Sequence, residues 1–358
     1  MNEITVYPQH SGGEPIRLSP EDCVGSGGEG SVYVTKKPKC KEKIAIKIFS
    51  DEKLSDSADS DLHRKVAAMV EMGNRNSKAL IKYSRIAWPQ LSVFDKNKRF
   101  VGYAMKRAQG VQLTKLAHPK VYENHFPDMN REKVAQMLVC LWKSVKFLHE
   151  RDIYIGDVNL NNVMCSAHYK TCWIDVDSFQ IGNPGNPTGF YPCPVGRPEL
   201  TPPEHHGVEN FNKVRRNSAS DLFSLAILTF QCLMLGRHPF EHIGGGSPVD
   251  NLRKGHVPYL SGGSIPGKDG AVPPGPWYNI WDWYTHNVKN LFQRTLKDGL
   301  HDFRLRSSAD DWIAALEAYI YVLNNPGERF PHRWEMIPDE PKPRGQDPRD
   351  TRGVRSTQ

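Results

Sequence analysis

Residues 153–180 read IYIGDVNLNNVMCSAHYKTCWIDVDSFQ, and three of their polar side chains decide how the whole chain is interpreted. Asp157 precedes Asn162 by five positions, and Asp175 follows Asn162 by thirteen. A carboxylate such as Asp157 can orient a hydroxyl and accept its proton. Asn162 and Asp175 offer the hard oxygen ligands that suit Mg²⁺ bound to phosphates. The segment therefore predicts phosphate chemistry, although Asp-rich loops are also common in turns and helix caps.

A glycine-rich stretch, GSGGEGSV at 25–32, lies upstream and contains Gly25, Gly27 and Gly30 in the pattern G-x-G-x-x-G. A Walker loop needs a lysine after the last glycine, where Ser31 stands. A dinucleotide-binding fold needs a helix there, whereas the sequence predicts a strand. A β-hairpin whose glycines let backbone N–H groups approach phosphate oxygens fits both flanks. An ordinary glycine-rich hairpin turn remains the alternative.

Lys47 adds a second feature to this region. It lies in IAIKIF, residues 44–49, where strand alternation places Ile46 and Ile48 on the opposite face of the sheet. If Lys47 points inward, its ammonium group needs an anion; the alternative is a solvated lysine on an edge strand. The 17 positions from Gly30 to Lys47 allow the hairpin to return and place the lysine under the glycines.

The apolar pattern divides the chain into a strand-rich part and a helical part. Up to about residue 105 it predicts short strands, including a hairpin of 91–94 with 100–105, and one helix at 59–71. Beyond that point it predicts helices at 130–150 and 221–235, and another that begins with a capping box at Ser308 and Asp311. The glycine- and proline-rich stretches 182–203 and 244–276 are predicted to be long loops.

Composition excludes several classes of protein. The 358 residues are 38% hydrophobic and 24% charged, with a net charge of +7 spread along the chain, which indicates a globular protein and does not by itself indicate nucleic-acid binding. No run approaches the ~18 apolar residues of a membrane span, and the first ten residues show no secretion signal. Seven scattered cysteines without C-x-x-C spacing predict neither a disulfide framework nor a zinc site. We expect a cytoplasmic protein without a nucleic-acid or membrane partner.

Taken in order, these motifs resemble those of the protein kinase superfamily: the glycine loop at 25–32, then Lys47 in Ala-x-Lys, then Asp157 and Asn162 in Asp-x-x-x-x-Asn, then Asp175 in an acidic metal motif. The resemblance extends over roughly residues 21–323. It implies a bilobal α+β fold, with a small antiparallel-sheet lobe at 1–105 and a larger mainly helical lobe at 106–330. Residues 331–358 are rich in Pro, Arg and Asp with few apolar residues, a composition that predicts a flexible tail.

The resemblance also implies roles for individual residues. Lys47 and Asp157 are expected to be catalytic, and Asn162 and Asp175 to bind Mg²⁺ or Mn²⁺. Three structural residues are expected in the helical lobe: Glu204, which closes the activation loop, Asp221, which braces the catalytic loop, and Arg306, which pairs with Glu204. The residues expected to bind ATP are Gly25, Gly27, Gly28, Gly30, Val32, Ala45, Lys47, Met105, Arg107 and Ala108.

Several positions depart from the family pattern. Gly156 stands where an arginine usually precedes the catalytic aspartate, so switching by phosphorylation of the activation loop is not expected. Asn159 stands where a lysine usually contacts the γ-phosphate, and Asp177 replaces a glycine in the metal motif. The helical glutamate that usually pairs with the strand lysine has no clear equivalent; Asp61 and Glu71 are the candidates.

The resemblance leaves more than one function open. The first is phosphoryl transfer from ATP to serine or threonine of a protein, including autophosphorylation. The alternatives are a pseudokinase that binds nucleotide as a scaffold, and an aminoglycoside-type kinase of small molecules; the Asp-x-Asp motif also occurs in sugar-nucleotide transferases. More narrowly, DVNLNN and IDVDSFQ look like a bacterial signalling branch associated with a metal-dependent protein phosphatase and a von Willebrand A-type protein in tellurite-resistance-like systems.

Overall fold

The computed structural model describes residues 3–8, 15–34, 44–55, 59–75, 78–260, 270–325 and 336–337. Nearly all of the predicted tail, 331–358, lies outside the described residues, as does the middle of the stretch 244–276. Within the described ranges, no helix combines the length and the apolar character needed to cross a membrane. The six cysteines found there are free thiols.

A seven-stranded antiparallel sheet forms the first part, in the order β2-β1-β6-β7-β5-β4-β3. Its strands are β1 (Ile4–Pro8), β2 (Ile16–Leu18), β3 (Cys23–Gly27), β4 (Gly30–Val34), β5 (Ile44–Phe49), β6 (Pro89–Phe94) and β7 (Phe100–Lys106). The helices of this part are α1 (Asp51–Ser55), α2 (Asp59–Asn74) and α3 (Ala79–Lys82). The predicted hairpin is present as β6 and β7, which turn at residues 95–99.

Strand alternation sorts the side chains of β5 onto two faces. Ile46 and Ile48 join an apolar cluster on one side of the sheet, with Val93 of β6. Ala45 and Phe49 join a second cluster on the other side, where α2 contributes Val66. Lys47 shares the second face, as its position between Ile46 and Ile48 predicts.

The second part is helical. Its helices are α4 (Tyr122–His125), α5 (Arg131–His149), α6 (Ser218–Leu233), α7 (Pro248–Arg253), α8 (Trp277–Asp282), α9 (His286–Phe292) and α10 (Ala309–Asn324), and a π-helix (Gln293–Asp298) follows α9. Two small sheets complete it, formed by β8 (Val111–Gln112), β9 (Val163–Cys165) and β10 (Thr171–Trp173), and by β11 (Ile181–Asn183) with β12 (Asn186–Tyr191). Helix α6 lies in the core, since 13 of its 16 residues are buried.

Side-chain caps fix where the long helices begin. Asn130 accepts a hydrogen bond from the backbone N–H of Lys133 at the start of α5, and Asn217 does the same for Ser220 at α6. Ser308 and Asp311 form the predicted capping box of α10. Each cap satisfies N–H groups that have no partner within the helix.

The two predicted loops contain regular structure, so those predictions were wrong in part. The β11–β12 hairpin occupies much of 182–203; Asn183 closes its turn by accepting a hydrogen bond from the N–H of Gly185 at 3.0 Å. Helix α7 interrupts 244–276, and it begins with a capping box of Ser247 and Asp250. In both cases a side-chain turn or cap organises a segment whose composition alone indicated a loop.

Candidate active site

The glycine-rich stretch forms the hairpin of β3 and β4, paired antiparallel from Cys23–Tyr33 to Gly27–Gly30. Packing requires glycine only at Gly30, where φ is +150° and a Cβ would lie 2.1 Å from the carbonyl oxygen of Ile48. A Cβ at Gly25, Gly27 or Gly28 would meet nothing within 4 Å. The fold therefore explains one of these glycines, and the other three leave the backbone open to a ligand above the hairpin.

Lys47 reaches from β5 across to the helical part. Its side chain is 5% exposed, and its Nζ lies 3.1 Å from Oδ1 of Asp175 and 2.8 Å from Oδ1 of Asp177. Burial alone would lower the pKa of Lys47, but the two carboxylates outweigh burial and raise it. The ammonium group is therefore charged and fixed at the junction of the two parts.

Asp177 is the main partner of Lys47, and both of its carboxylate oxygens accept from Nζ, at 2.8 and 3.0 Å. Tyr103, opposite Lys47 in the β5–β7 register, donates its hydroxyl to Oδ1 of Asp177 at 2.7 Å. Burial alone would raise the pKa of Asp177, but Lys47 and the hydrogen bonds outweigh it and lower it. Asp177 therefore pairs with Lys47, as a helical glutamate usually does in the family that the sequence resembles.

The two candidates for that glutamate were wrong. Asp61 lies on α2 with its side chain 68% exposed, 3.6 Å from Arg64, and Glu71 forms an ion pair with Arg75, the residue that follows the helix. Both carboxylates therefore point to solvent. The sequence already held a signal for Asp177, because Asp-x-Asp places a second carboxylate two residues after the expected metal ligand.

Helix α2 presents a cation to the site. Lys65 is 6% exposed, and its Nζ donates to the carbonyl oxygen of Pro192 at 2.8 Å. Burial lowers the pKa of Lys65 to about 8, because a carbonyl compensates a buried charge less than a carboxylate does. Lys65 thereby connects α2 to the segment that follows β12.

Asp157 and Asn162 lie together in the loop before β9. The amide nitrogen of Asn162 donates to the carbonyl oxygen and to Oδ2 of Asp157, both at 2.9 Å. The backbone N–H of Ile174 donates to the carbonyl oxygen of Asn162 at 2.9 Å, which places Asp175 beside this loop. The structure thus brings Lys47, Asp157, Asn162 and Asp175 into one cleft.

Asn162 and Asp175 have the chemistry of a magnesium site. Because the amide nitrogen of Asn162 bonds to Asp157, its amide oxygen is the atom that can face a cation. Asp175 is 46% exposed and adopts a left-handed backbone conformation, with φ of +53°. The described residues contain no cluster of three or more His, Cys, Asp or Glu that could hold a metal. Two protein oxygens fit Mg²⁺, which commonly completes its coordination with water and phosphate oxygens.

Four of the residues expected to bind ATP belong to one apolar cluster. Val32, Ala45, Met105 and Ala108 all belong to it, whereas Arg107 is exposed. Cys172 of β10 also belongs to the cluster, and Met164 and Ile174 pack against it from the helical part; none of the three was predicted to lie there. Met164 follows Asn162 by two positions on β9, so strand alternation could have indicated it.

Asp221, near the start of α6, holds the loop that contains Asp157. Its carboxylate accepts from the backbone N–H groups of Ile155 and Gly156 at 2.7 and 2.8 Å, and it lies 3.0 Å from Nε2 of His149. Gly156 has φ of +72°, and a Cβ there would lie 2.6 Å from Sγ of Cys193. A side chain at 156 is therefore excluded by close packing.

Glu204 and Arg306 form a bidentate ion pair, at 2.6 and 2.7 Å. The Arg306 side chain is 1% exposed, and it also donates to the carbonyl oxygens of Ala219 and Gly299. Burial alone would raise the pKa of Glu204, but the bonds from Arg306 outweigh it and lower it. This pair joins the segment before α6 to the segment before α10.

Comparisons with known proteins agree with this geometry. Residues 18–298 match the family described as protein kinase domain. Protein kinase YegI of Escherichia coli strain K12 is 26% identical over 318 residues, which cover 86% of this chain and 45% of that protein, and the YegI of strain O157:H7 is 26% identical over 305 residues, which cover 84% and 44%. The chain thus spans less than half the length of these relatives.

A solved structure shares the fold. The ROP18 kinase domain in complex with AMP-PNP and sucrose superposes with a TM-score of 0.59 at 17% identity, over 90% of this chain and 84% of that one. At this identity the likeness concerns the fold alone: a curled antiparallel-sheet lobe and a helical lobe. With the match over residues 18–298, the chain belongs to the protein kinase domain family.

Proposed function

We propose that this protein transfers the γ-phosphoryl group of ATP, bound with Mg²⁺, to a serine or threonine hydroxyl of a protein substrate. The observation that carries the proposal is the convergence of Lys47, Asp175 and Asp157 from separate elements on one cleft, with Lys47 held at 3.1 Å from Asp175. A cation, two metal-binding oxygens and a proton acceptor are the groups that phosphoryl transfer needs.

Each group has a distinct task in this proposal. The backbone of 25–30 covers the phosphates, and Lys47 neutralises the α- and β-phosphates. Asn162 and Asp175 hold the magnesium ion, which neutralises charge on the phosphate oxygens when it is bound. Asp157 orients the substrate hydroxyl and accepts its proton. Asp177 keeps Lys47 in place, since it binds the ammonium group with both oxygens.

The test is incorporation of radiolabelled phosphate from Mg²⁺-ATP into protein, compared with Asp157→Asn. We expect the variant to lose at least ~100-fold in rate, in line with the typical contribution of a general base, while it keeps its affinity for ADP. Phosphoamino-acid analysis of the product then separates serine and threonine from tyrosine. Equal incorporation by both proteins would overturn the proposal.

A nucleotide-binding scaffold without turnover is the second candidate, and the altered catalytic loop favours it, because Gly156 and Asn159 stand where the family usually carries an arginine and a lysine. The same assay separates the two functions. A scaffold is expected to bind ADP and AMP-PNP. Wild type and Asp157→Asn would then show the same background rate of phosphate incorporation. Phosphorylation of an aminoglycoside but no protein would instead identify a small-molecule kinase.

We further propose two partners, a metal-dependent protein phosphatase and a von Willebrand A-type protein, on the ground of the DVNLNN and IDVDSFQ motifs. A phosphatase of this class would remove the phosphate that the kinase adds. Co-purification of the tagged full chain with the candidate phosphatase, before and after incubation with Mg²⁺-ATP, tests this. No enrichment over an unrelated tagged protein in either condition would contradict it.

A further inference from the structure

Arg197 stands beside the carboxylate that is proposed to accept the proton. Its Nε lies 4.0 Å from Oδ1 of Asp157, and its side chain is 45% exposed. This distance allows electrostatic attraction but is too long for a hydrogen bond. Because Oδ2 of Asp157 is bound by Asn162, Oδ1 is the oxygen that faces both Arg197 and an incoming hydroxyl.

The backbone under Arg197 is firmly held. Its carbonyl oxygen accepts from the N–H groups of Leu200 and Thr201, both at 2.9 Å, and from the hydroxyl of Thr201 at 2.7 Å. Arg216 donates to the carbonyl oxygen of Val195 at 2.6 Å, two residues earlier. A fixed base with a half-exposed guanidinium group is suited to contacting a ligand in the cleft, because little backbone entropy is lost on binding.

The loop around Asp157 supplies amides instead of cations. Asn159 is 2% exposed; its oxygen accepts from the N–H of Asn161 at 2.9 Å and its nitrogen donates to the carbonyl oxygen of Asp157 at 3.1 Å. Lys47 is engaged by two carboxylates on the other side of the cleft. Negative charge spreads over the transferred phosphoryl oxygens in the transition state, so a cation close to Asp157 would stabilise it.

We propose that Arg197 contacts the phosphoryl group during its transfer and supplies the positive charge at the acceptor end of the cleft. This inference rests on the function proposed above. In the transfer step the substrate oxygen forms a bond to the γ-phosphorus as the bond from that phosphorus to the β–γ bridging oxygen breaks. ADP leaves with the electron pair, and the hydroxyl proton passes to Asp157. Arg197 stays protonated throughout, and its planar fork can bind two phosphoryl oxygens.

The test compares Arg197→Ala and Arg197→Lys with Arg253→Ala, which removes an arginine of similar exposure (56%) on α7. We expect Arg197→Ala to lower kcat by ~100-fold or more, and Arg197→Lys to recover at least tenfold of that loss. Calorimetry gives a readout besides activity: Arg197→Ala should bind AMP-PNP at least ~5-fold more weakly and ADP within twofold of wild type. Arg253→Ala should match wild type in both measurements.

The inference is overturned if Arg197→Ala keeps its kcat within threefold of wild type and its ratio of AMP-PNP to ADP affinity unchanged. It is also overturned if the variant loses affinity for ADP to the same extent as for AMP-PNP. If the alanine variant unfolds, Arg197→Lys provides the test. A specific phosphoryl contact is contradicted if this variant has the same ratio of AMP-PNP to ADP affinity as wild type, and if high salt leaves kcat unchanged in both proteins. A wild-type protein that neither binds ADP nor incorporates phosphate contradicts the proposed function instead, so the two failures are distinguishable.

Discussion

Two buried cations, Lys47 in the sheet lobe and Arg306 in the helical lobe, are each neutralised by a carboxylate more than a hundred residues away. Arg306 and Glu204 lie within the same lobe, so their bidentate pair fixes one rigid unit. Lys47 and Asp177 belong to different lobes, so their bond also sets how the lobes meet. Similar ion pairs therefore have different consequences: loss of the Arg306–Glu204 pair weakens the fold of one lobe, and loss of the Lys47–Asp177 pair also separates the groups of the candidate site.

The largest effect is expected from Asp177→Asn, which breaks the bond between the lobes. Lys47 would keep Asp175 at 3.1 Å, yet a buried charge would lose its main partner. We expect the free energy of unfolding to fall by about 4 kcal/mol, and kcat to fall at least ~100-fold, as measured by urea titration and phosphate incorporation.

Asp61→Asn is the matched control, because it removes an exposed carboxylate from the same lobe. It should change the free energy of unfolding by less than about 0.5 kcal/mol and leave the rate within twofold. If Asp61→Asn were the more damaging of the two, α2 would supply the partner of Lys47 after all, and the contrast between the lobes would disappear.

Glu204→Gln tests the other side of the comparison. It leaves the buried guanidinium group of Arg306 without its carboxylate, and we expect a loss of about 3 kcal/mol in the free energy of unfolding. The rate per folded molecule should stay within about threefold, because the pair lies within one lobe. Glu241→Gln is the control, because the two glutamates are almost equally exposed, at 37% for Glu241 and 36% for Glu204. Their arginine partners differ: Arg237 is 31% exposed, whereas Arg306 is buried. It should cost less than about 1 kcal/mol.

Sequence patterns predicted the Arg306 pair and missed the Lys47 pair for a physical reason. Glu204 and Arg306 each lie in a recognisable motif, so their resemblance to a known family identified both partners at once. The partner of Lys47 depends on how the two lobes dock; the Asp-x-Asp pattern offers a second carboxylate in Asp177 but does not show which cation it meets. Strand alternation did place Lys47 on the correct face of β5, since alternation is a local property.

The same distinction applies to the rest of the fold. The β6–β7 hairpin and the starts of α5 and α10 follow from alternation, period and caps, and they were predicted. The β11–β12 hairpin was missed because short strands rich in glycine and proline carry little alternation, and their turn depends on the side chain of Asn183. Met164 and Ile174 were missed in the apolar cluster that contains Ala45 and Met105, because they join it from the opposite lobe.

Lys65 is also a buried cation, but its partner is a carbonyl oxygen, so its effect on stability depends on pH. Its folded pKa, about 8, lies below the ordinary value of 10.5. The charged form therefore destabilises the fold fully below pH 8, and that penalty disappears as pH rises toward 10.5. Relative to Lys65→Met, wild type should gain about 2–3 kcal/mol between pH 7 and pH 10.

Urea titrations of both proteins across this pH range measure the gain. The control is Lys143→Met, because Lys143 is 53% exposed on α5, and its difference from wild type should vary by less than about 1 kcal/mol. A constant difference between wild type and Lys65→Met would show that the ammonium group of Lys65 is hydrated in solution, and that it does not form a buried bond to Pro192.

Tyr103→Phe is expected to have the smallest effect, because it removes one of three hydrogen bonds to Asp177 and leaves both from Lys47 in place. A hydrogen bond to a charged acceptor contributes about 1.5 kcal/mol, so the free energy of unfolding should fall by about that amount, and kcat by less than about fivefold.

Tyr259→Phe is the control: the Tyr259 hydroxyl is buried without a hydrogen-bond partner among the described residues, so its removal should be neutral or stabilising. If Tyr103→Phe were as damaging as Asp177→Asn, the tyrosine rather than Lys47 would hold Asp177 in place, and the bond between the lobes would begin at β7.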